Sequence, residues 1–204
     1  MAPELPPYAQ KGSMLTFEVK LLKVTSKEDA MKEQQKRMEE QRVMMELRKN
    51  EEGKTLANYL ETNKITTAPT ASGLIYVESK KGNGKKPSVG SMVKVNYTGM
   101  LLDGTIFDTS VEATAKAAGL YDERRPYEPF EFALGTGQVI PGWDEGIALM
   151  SPGSKGKFII PSSLAYGEQG GGPIPPYSSL VFEVELVSFT AGNAQDPQSK
   201  TVQH

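Results

Sequence analysis

The sequence predicts an α+β domain built on an antiparallel sheet and preceded by a long charged helix. Three observations carry that reading. Residues 25–64 contain one glycine and no proline, while residues 65–192 hold most of the 20 glycines and 14 prolines, so a helical stretch gives way to a glycine-punctuated domain. Short apolar runs, several with period-two alternation, then follow one another between turn signals. A single stretch among them, Trp143 to Met150, has the length of a short helix instead.

Taken in order, residues 1–25 are a strand-like fragment. Pro6-Pro7-Tyr8 followed by Leu15–Leu21 echoes Pro175-Pro176-Tyr177 followed by Leu180–Leu186, with four more residues between tyrosine and leucine. The echo is either a coincidence of two strand endings or the tail of an upstream copy of the later domain. Residues 26–64 form a charged helical segment. Ser26 is the N-cap candidate and Asp29 stands in the capping-box position. Sixteen of the 28 residues from Lys27 to Lys54 are charged, with Glu28–Lys32 and Glu33–Arg37 in the favourable i,i+4 order. Met31, Met38 and Met45 recur every seventh residue, but the intervening positions are Gln34/Gln35 and Gln41/Arg42, which makes half of a coiled-coil seam. Two readings stay open: a solvated connector, or a helix that dimerises or holds clients. Gly53 is a candidate break in it.

Residues 65–71, rich in threonine with Pro69, read as a linker. Strand signals begin at Leu74–Val77. Val93, Val95 and Tyr97 share one face, and Asp103-Gly104 is a turn ahead of Thr105–Asp108. Phe130, Phe132 and Leu134 alternate with Glu131 and Ala133. The helix from Trp143 is stopped by Pro152-Gly153, and Phe158–Ile160 and Val181–Val187 complete the strands. Residues 191–204 read as a disordered tail.

Composition excludes much chemistry. There is no cysteine, and the only histidine is His204, so thiolate nucleophiles, disulfides and histidine-based triads or metal sites have no material. A net charge of −2 argues against a nucleic-acid binder. No apolar run is long enough for a transmembrane helix, and no signal-peptide pattern opens the chain. The default expectation is therefore cytoplasmic, or bacterial periplasm or envelope if upstream residues are missing.

Val95–Gly99, Asp103–Ser110, Gly137–Gly146 and Ala165–Gly167, with the ending Pro175–Leu186, stand in one order. Together they closely resemble the FKBP-type peptidyl-prolyl cis-trans isomerases over residues 72–190, and the charged helix resembles the segment that precedes this domain in many bacterial envelope members. The resemblance implies a twisted antiparallel sheet wrapped around one short helix, with the active site between them. It implies Tyr97, Phe107, Asp108, Ile140 and Tyr166 as catalytic residues, and Phe130, Val139, Trp143, Ile174 and Phe182 as substrate-binding ones, with Trp143 as the floor. It leaves open whether Arg124 or Arg125 partners Asp108, because the loop Val111–Pro129 is longer than in the minimal domain.

The implied activity is isomerisation of X–Pro bonds in folding chains; the alternative is a chaperone or scaffold with a weak or silent pocket. No cofactor or metal is expected. The expected partners are proline-containing polypeptides and macrolides such as rapamycin, with a homodimer through the N-terminal helix. The sequence reading also has the isomerase domain folding without residues 1–64.

Overall fold

The computed structural model describes Lys20 and residues 26–192. The strand-like fragment in residues 1–25 and the tail after residue 192 lie outside the described residues. The chain divides into two compact units, residues 1–41 and residues 42–204.

Helix α1 runs from Lys27 to Thr62. Its start is built as the sequence indicates: the Ser26 hydroxyl accepts the Asp29 N–H at 3.1 Å and donates to the Asp29 carboxylate at 2.7 Å. Gly53 does not break it. A glycine costs a helix only about 1 kcal/mol, and the surrounding residues are strong helix formers. The helix stops instead at Lys64, which takes a positive φ of 54°. The Ile65 N–H then bonds the Leu60 carbonyl and the Lys64 N–H bonds that of Glu61, a Schellman ending made without glycine.

The sheet contains β1 (Ile75–Lys80), β2 (Met92–Leu101), β3 (Ile106–Thr109), β4 (Phe130–Ala133), β5 (Lys155–Ile160) and β6 (Leu180–Thr190). The strand order is β1-β5-β6-β2-β3, every pairing is antiparallel, and β4 also pairs with β2. Two short helices connect these strands: α2 (Glu112–Ala117) and α3 (Pro141–Ala148). The antiparallel α+β class is thus as the sequence indicates. The loop from Val111, however, contains a helix that was not legible in it. Gly119, at a φ of 70°, ends α2 with the same pair of backbone bonds that ends α1.

One face of the sheet packs on α3. Val93, Val95, Phe158, Phe182, Val184 and Leu186 close over Trp143 and Ile147 in the main core. The approach is close: a Cβ at Gly146 would fall 2.6 Å from the Phe158 ring, and one at Gly142 would fall 2.5 Å from Ile160. The other face buries Ile75, Ile159 and Val181 beneath Leu56, Tyr59, Leu60 and Ile65. The second half of α1 is therefore packed onto the sheet, inside the compact unit that begins at Arg42. The segment 65–71, read as a linker, is tied in as well. Ile65 is part of that cluster, and the Thr70 N–H bonds the Leu74 carbonyl.

Candidate active site

Between α3 and the sheet lies a cleft of about 760 Å³. All ten residues singled out above line it: Tyr97, Phe107, Asp108, Phe130, Val139, Ile140, Trp143, Tyr166, Ile174 and Phe182. Each has a different anchor. Tyr97 comes from the middle of β2, Phe107 and Asp108 from β3, Phe130 from the start of β4 and Phe182 from β6. Trp143 sits in the first turn of α3, where Pro141 pre-sets the helical φ and the Trp143 N–H bonds the Ile140 carbonyl. Tyr166 and Ile174 belong to the irregular segment between β5 and β6.

The aromatic rings form one connected cup. Trp143 meets Tyr97 and Phe182 edge-on at 5.0 and 5.2 Å between centroids, and Phe107 meets Phe182 edge-on at 5.6 Å. Such pairs add about 0.5–1.5 kcal/mol beyond their buried area and hold the rings in place. A missing Cβ makes room for this: at Gly99 it would lie 2.7 Å from both Phe107 and Phe182. Trp143 is buried, and its indole N–H has no acceptor among the described residues. Phe130 stands at the mouth, 44% exposed.

The polar content is small and ordered. Asp108 accepts the Tyr97 hydroxyl at 2.5 Å and an Arg125 N–H at 2.5 Å, and Arg125 also reaches the Tyr97 oxygen at 3.3 Å. This settles the choice that the sequence left open: Arg124 turns away to a two-pronged pair with Asp122. The long loop delivers Arg125 by folding on itself. Tyr121 stacks on Tyr127 at 5.5 Å, Lys116 lies over the Tyr121 ring, and the Arg125 guanidinium lies over that of Tyr127. Burial, and then the Asp108 carboxylate that it serves, push the Tyr97 hydroxyl well above the ordinary tyrosine range, so it stays protonated. The bond to Asp108 raises Arg125 in turn.

Two of the donors left over at the cleft are placed to meet a ligand. Neither the Ile140 N–H nor the Tyr166 hydroxyl bonds an acceptor among the described residues. The backbone leading to Ile140 is fixed by Asp144 of α3, which accepts the Gly135 and Gly137 N–H groups at 2.8 and 3.2 Å. Gln138, Pro141, Ala165 and Pro173 also line the cleft. They sit inside or beside the motifs already quoted, but no residue-type argument separates them from loop residues. Among the described residues no group of acidic or histidine side chains is arranged to hold a metal ion.

Such a cleft has the shape and apolar lining for a ring and free donors for carbonyl oxygens, and among the described residues that line it there is no cysteine, histidine or serine. Comparison with known proteins gives the same class. Residues 83–187 match the family model of the FKBP-type peptidyl-prolyl cis-trans isomerases. The chain is 46% identical over 144 residues to the FKBP-type peptidyl-prolyl cis-trans isomerase FkpA of Aeromonas hydrophila, covering 70% of this chain and 48% of that protein. It is 47% identical over 111 residues to FK506-binding protein 1 of Dictyostelium discoideum, covering 54% of this chain and 92% of that one. The crystal structure of FkpA from Escherichia coli superposes with a TM-score of 0.64 at 32% identity, over 80% of this chain and 71% of that one. The chain belongs to the FKBP-type peptidyl-prolyl cis-trans isomerase family. It spans about half the length of the Aeromonas relative.

Proposed function

We propose that the chain isomerises X–Pro bonds in polypeptides and does so in this cleft. Rotation about an X–Pro amide crosses a barrier of about 18–20 kcal/mol because it breaks amide resonance. No covalent bond is made, so the catalyst must hold the twisted amide more tightly than the planar one. The twisted amide carries less charge on oxygen and loses less on leaving water. A dry cup of Tyr97, Phe107, Trp143 and Phe182 therefore favours it. Ile140 N–H and the Tyr166 hydroxyl donate to substrate carbonyls, and Asp108, neutralised by Arg125, fixes the Tyr97 wall without offering a free charge. Phe130 at the mouth faces the residue before the proline. The observation that carries the reading is the single connected aromatic cup with two unpaired donors at its edge. A protease-coupled assay on a prolyl peptide tests it. Accelerated isomerisation, blocked by rapamycin with a change in Trp143 fluorescence, is the expected result; no acceleration and no fluorescence change would sink it.

A second role is supported by α1. Met44 and Met45 are exposed on it within the unit that begins at Arg42. Such a surface fits a homodimer contact or a hold on unfolded clients, and assistance to protein folding then combines both ends of the chain. Light scattering of the full chain, compared with a variant carrying Met→Gln at these positions, tests the dimer: the variant is expected to be monomeric.

A further inference from the structure

One wall of the cleft is the segment from Ser162 to Ser179, which carries Tyr166 and Ile174. Both ends of that segment are held by one side chain from outside the cleft. Glu52, in the second half of α1, accepts the Ser162 N–H at 2.7 Å and the Ser179 hydroxyl at 2.8 Å on Oε1, and the Ser162 hydroxyl at 2.8 Å on Oε2. Ser162 and Ser179 are 4% and 3% exposed, and buried donors of this kind are nearly always satisfied. From Ser162 the bonding continues through the backbone. Its carbonyl accepts the Ala165 and Gly167 N–H groups at 2.9 Å each, and the Gly167 carbonyl accepts that of Tyr177 at 2.9 Å. Tyr166 lies between the first two of these donors. Its hydroxyl is unpaired, and its ring, 42% exposed, lies over Gly171 of the same segment, so its place is set by that segment.

We infer that Glu52 is a positioning residue for the site: α1 sets the wall that carries Tyr166 and Ile174 by clamping both ends of their segment. The inference rests on the reading of the cleft given above. It makes the helix and the cleft one device, because one carboxylate of α1 reaches a substrate-facing hydroxyl through two serines, whatever the rest of the helix contributes to docking.

The test uses the full chain with Glu52→Ala, Glu52→Gln and Leu60→Ala, each assayed on a prolyl peptide at a temperature where circular dichroism shows it folded. Leu60 anchors the same helix through the apolar cluster and controls for docking alone. Glu52→Ala is expected to lower kcat/KM about tenfold, the scale of a sub-ångström misplacement. Tyr166→Phe should then cost far less in that background than in the parent chain. Glutamine keeps one accepting oxygen and can donate to the Ser162 hydroxyl, so Glu52→Gln should return to within about twofold of the parent. Leu60→Ala should lower Tm and leave kcat/KM unchanged. Parent-like kcat/KM in Glu52→Ala, or an equal fall in Leu60→Ala, overturns the proposal. If Glu52→Ala fails to fold, Ser179→Ala replaces it, and turnover equal to the parent overturns the proposal there. If the parent chain itself turns over no prolyl peptide, the functional reading has failed instead. Backbone amide shifts of Tyr166 and Gly167 then decide the positioning claim, and shifts unchanged by Glu52→Ala, or by Ser179→Ala where Glu52→Ala does not fold, overturn it.

Discussion

Val181 and Phe182 are neighbours on β6, yet one is sealed beneath α1 and the other lines the cleft. The helix-side face is a small aliphatic patch, Ile75, Ile159 and Val181, capped by Leu56, Tyr59 and Leu60, with a carboxylate clamp beside it. The cleft-side face is aromatic, only partly covered, and keeps two donors unpaired. Aliphatic side chains fill space and leave nothing to bind. Aromatic rings held edge-on keep a concave shape that a ligand can enter. Apart from Glu52, substitutions on the two faces should therefore separate stability from turnover.

The largest effect expected is on the helix side. A chain starting at Arg42 keeps the whole patch covered, and should retain both Tm and peptide turnover. A chain starting at Ile65 uncovers Ile75, Ile159 and Val181 and loses the Glu52 clamp, which should cost about 3–5 kcal/mol of unfolding free energy in a urea titration. Equal stability of the two truncations would mean that α1 is only an appendage, as the sequence boundary at residue 72 has it.

The reverse pattern is expected in the cleft. Phe107→Ala and Asp108→Ala should each lower kcat/KM about tenfold or more, about 1.4 kcal/mol per decade of transition-state binding. Arg125→Ala should follow Asp108→Ala in direction, whereas Arg124→Ala, which breaks only an exposed pair with Asp122, should leave turnover unchanged. Full activity in Phe107→Ala would contradict the desolvation account.

The smallest effect concerns pH. Folding raises the Tyr97 hydroxyl above its unfolded value, so the folded chain binds that proton more tightly. The stability this gives is complete below about pH 10 and is lost as pH rises beyond it. Urea midpoints measured from pH 9 to 11 should fall, and should fall less steeply in Tyr97→Phe; parallel curves would remove Tyr97 as the cause.

The cleft side was the more legible in the sequence. Val93, Val95 and Tyr97 declare a strand face by alternation, and the run from Trp143 that Pro152-Gly153 stops declares a short helix, because both patterns are local. The helix side depends on properties that are not local. Glu52 is one acid among many on a charged helix, and nothing in its neighbourhood shows that two serines more than a hundred residues later will bury against it. The stop of α1 at residue 64 was legible only from the threonine- and proline-bearing run that follows, since Lys64 itself takes a conformation usually given to glycine. Arg124 and Arg125 are adjacent and chemically identical, and only the folding of the loop around Tyr127 separates them.

The position of β6 also bears on how the chain is made. Among the described residues it is the last strand in sequence, but it lies inside the sheet, bonded to β5 on one side and to β2 on the other. A nascent chain that has emerged only as far as β5 holds two strips, β1 with β5 and β2 with β3 and β4, and no strand to join them. Closure waits for the final strand to leave the ribosome and pair with partners far back along the chain, a long-range step that favours slow folding. Until then Tyr97, Phe107 and Trp143 lack Phe182 and stand open to solvent, so the chain spends that interval as an unfinished polypeptide with its own aromatic rings uncovered.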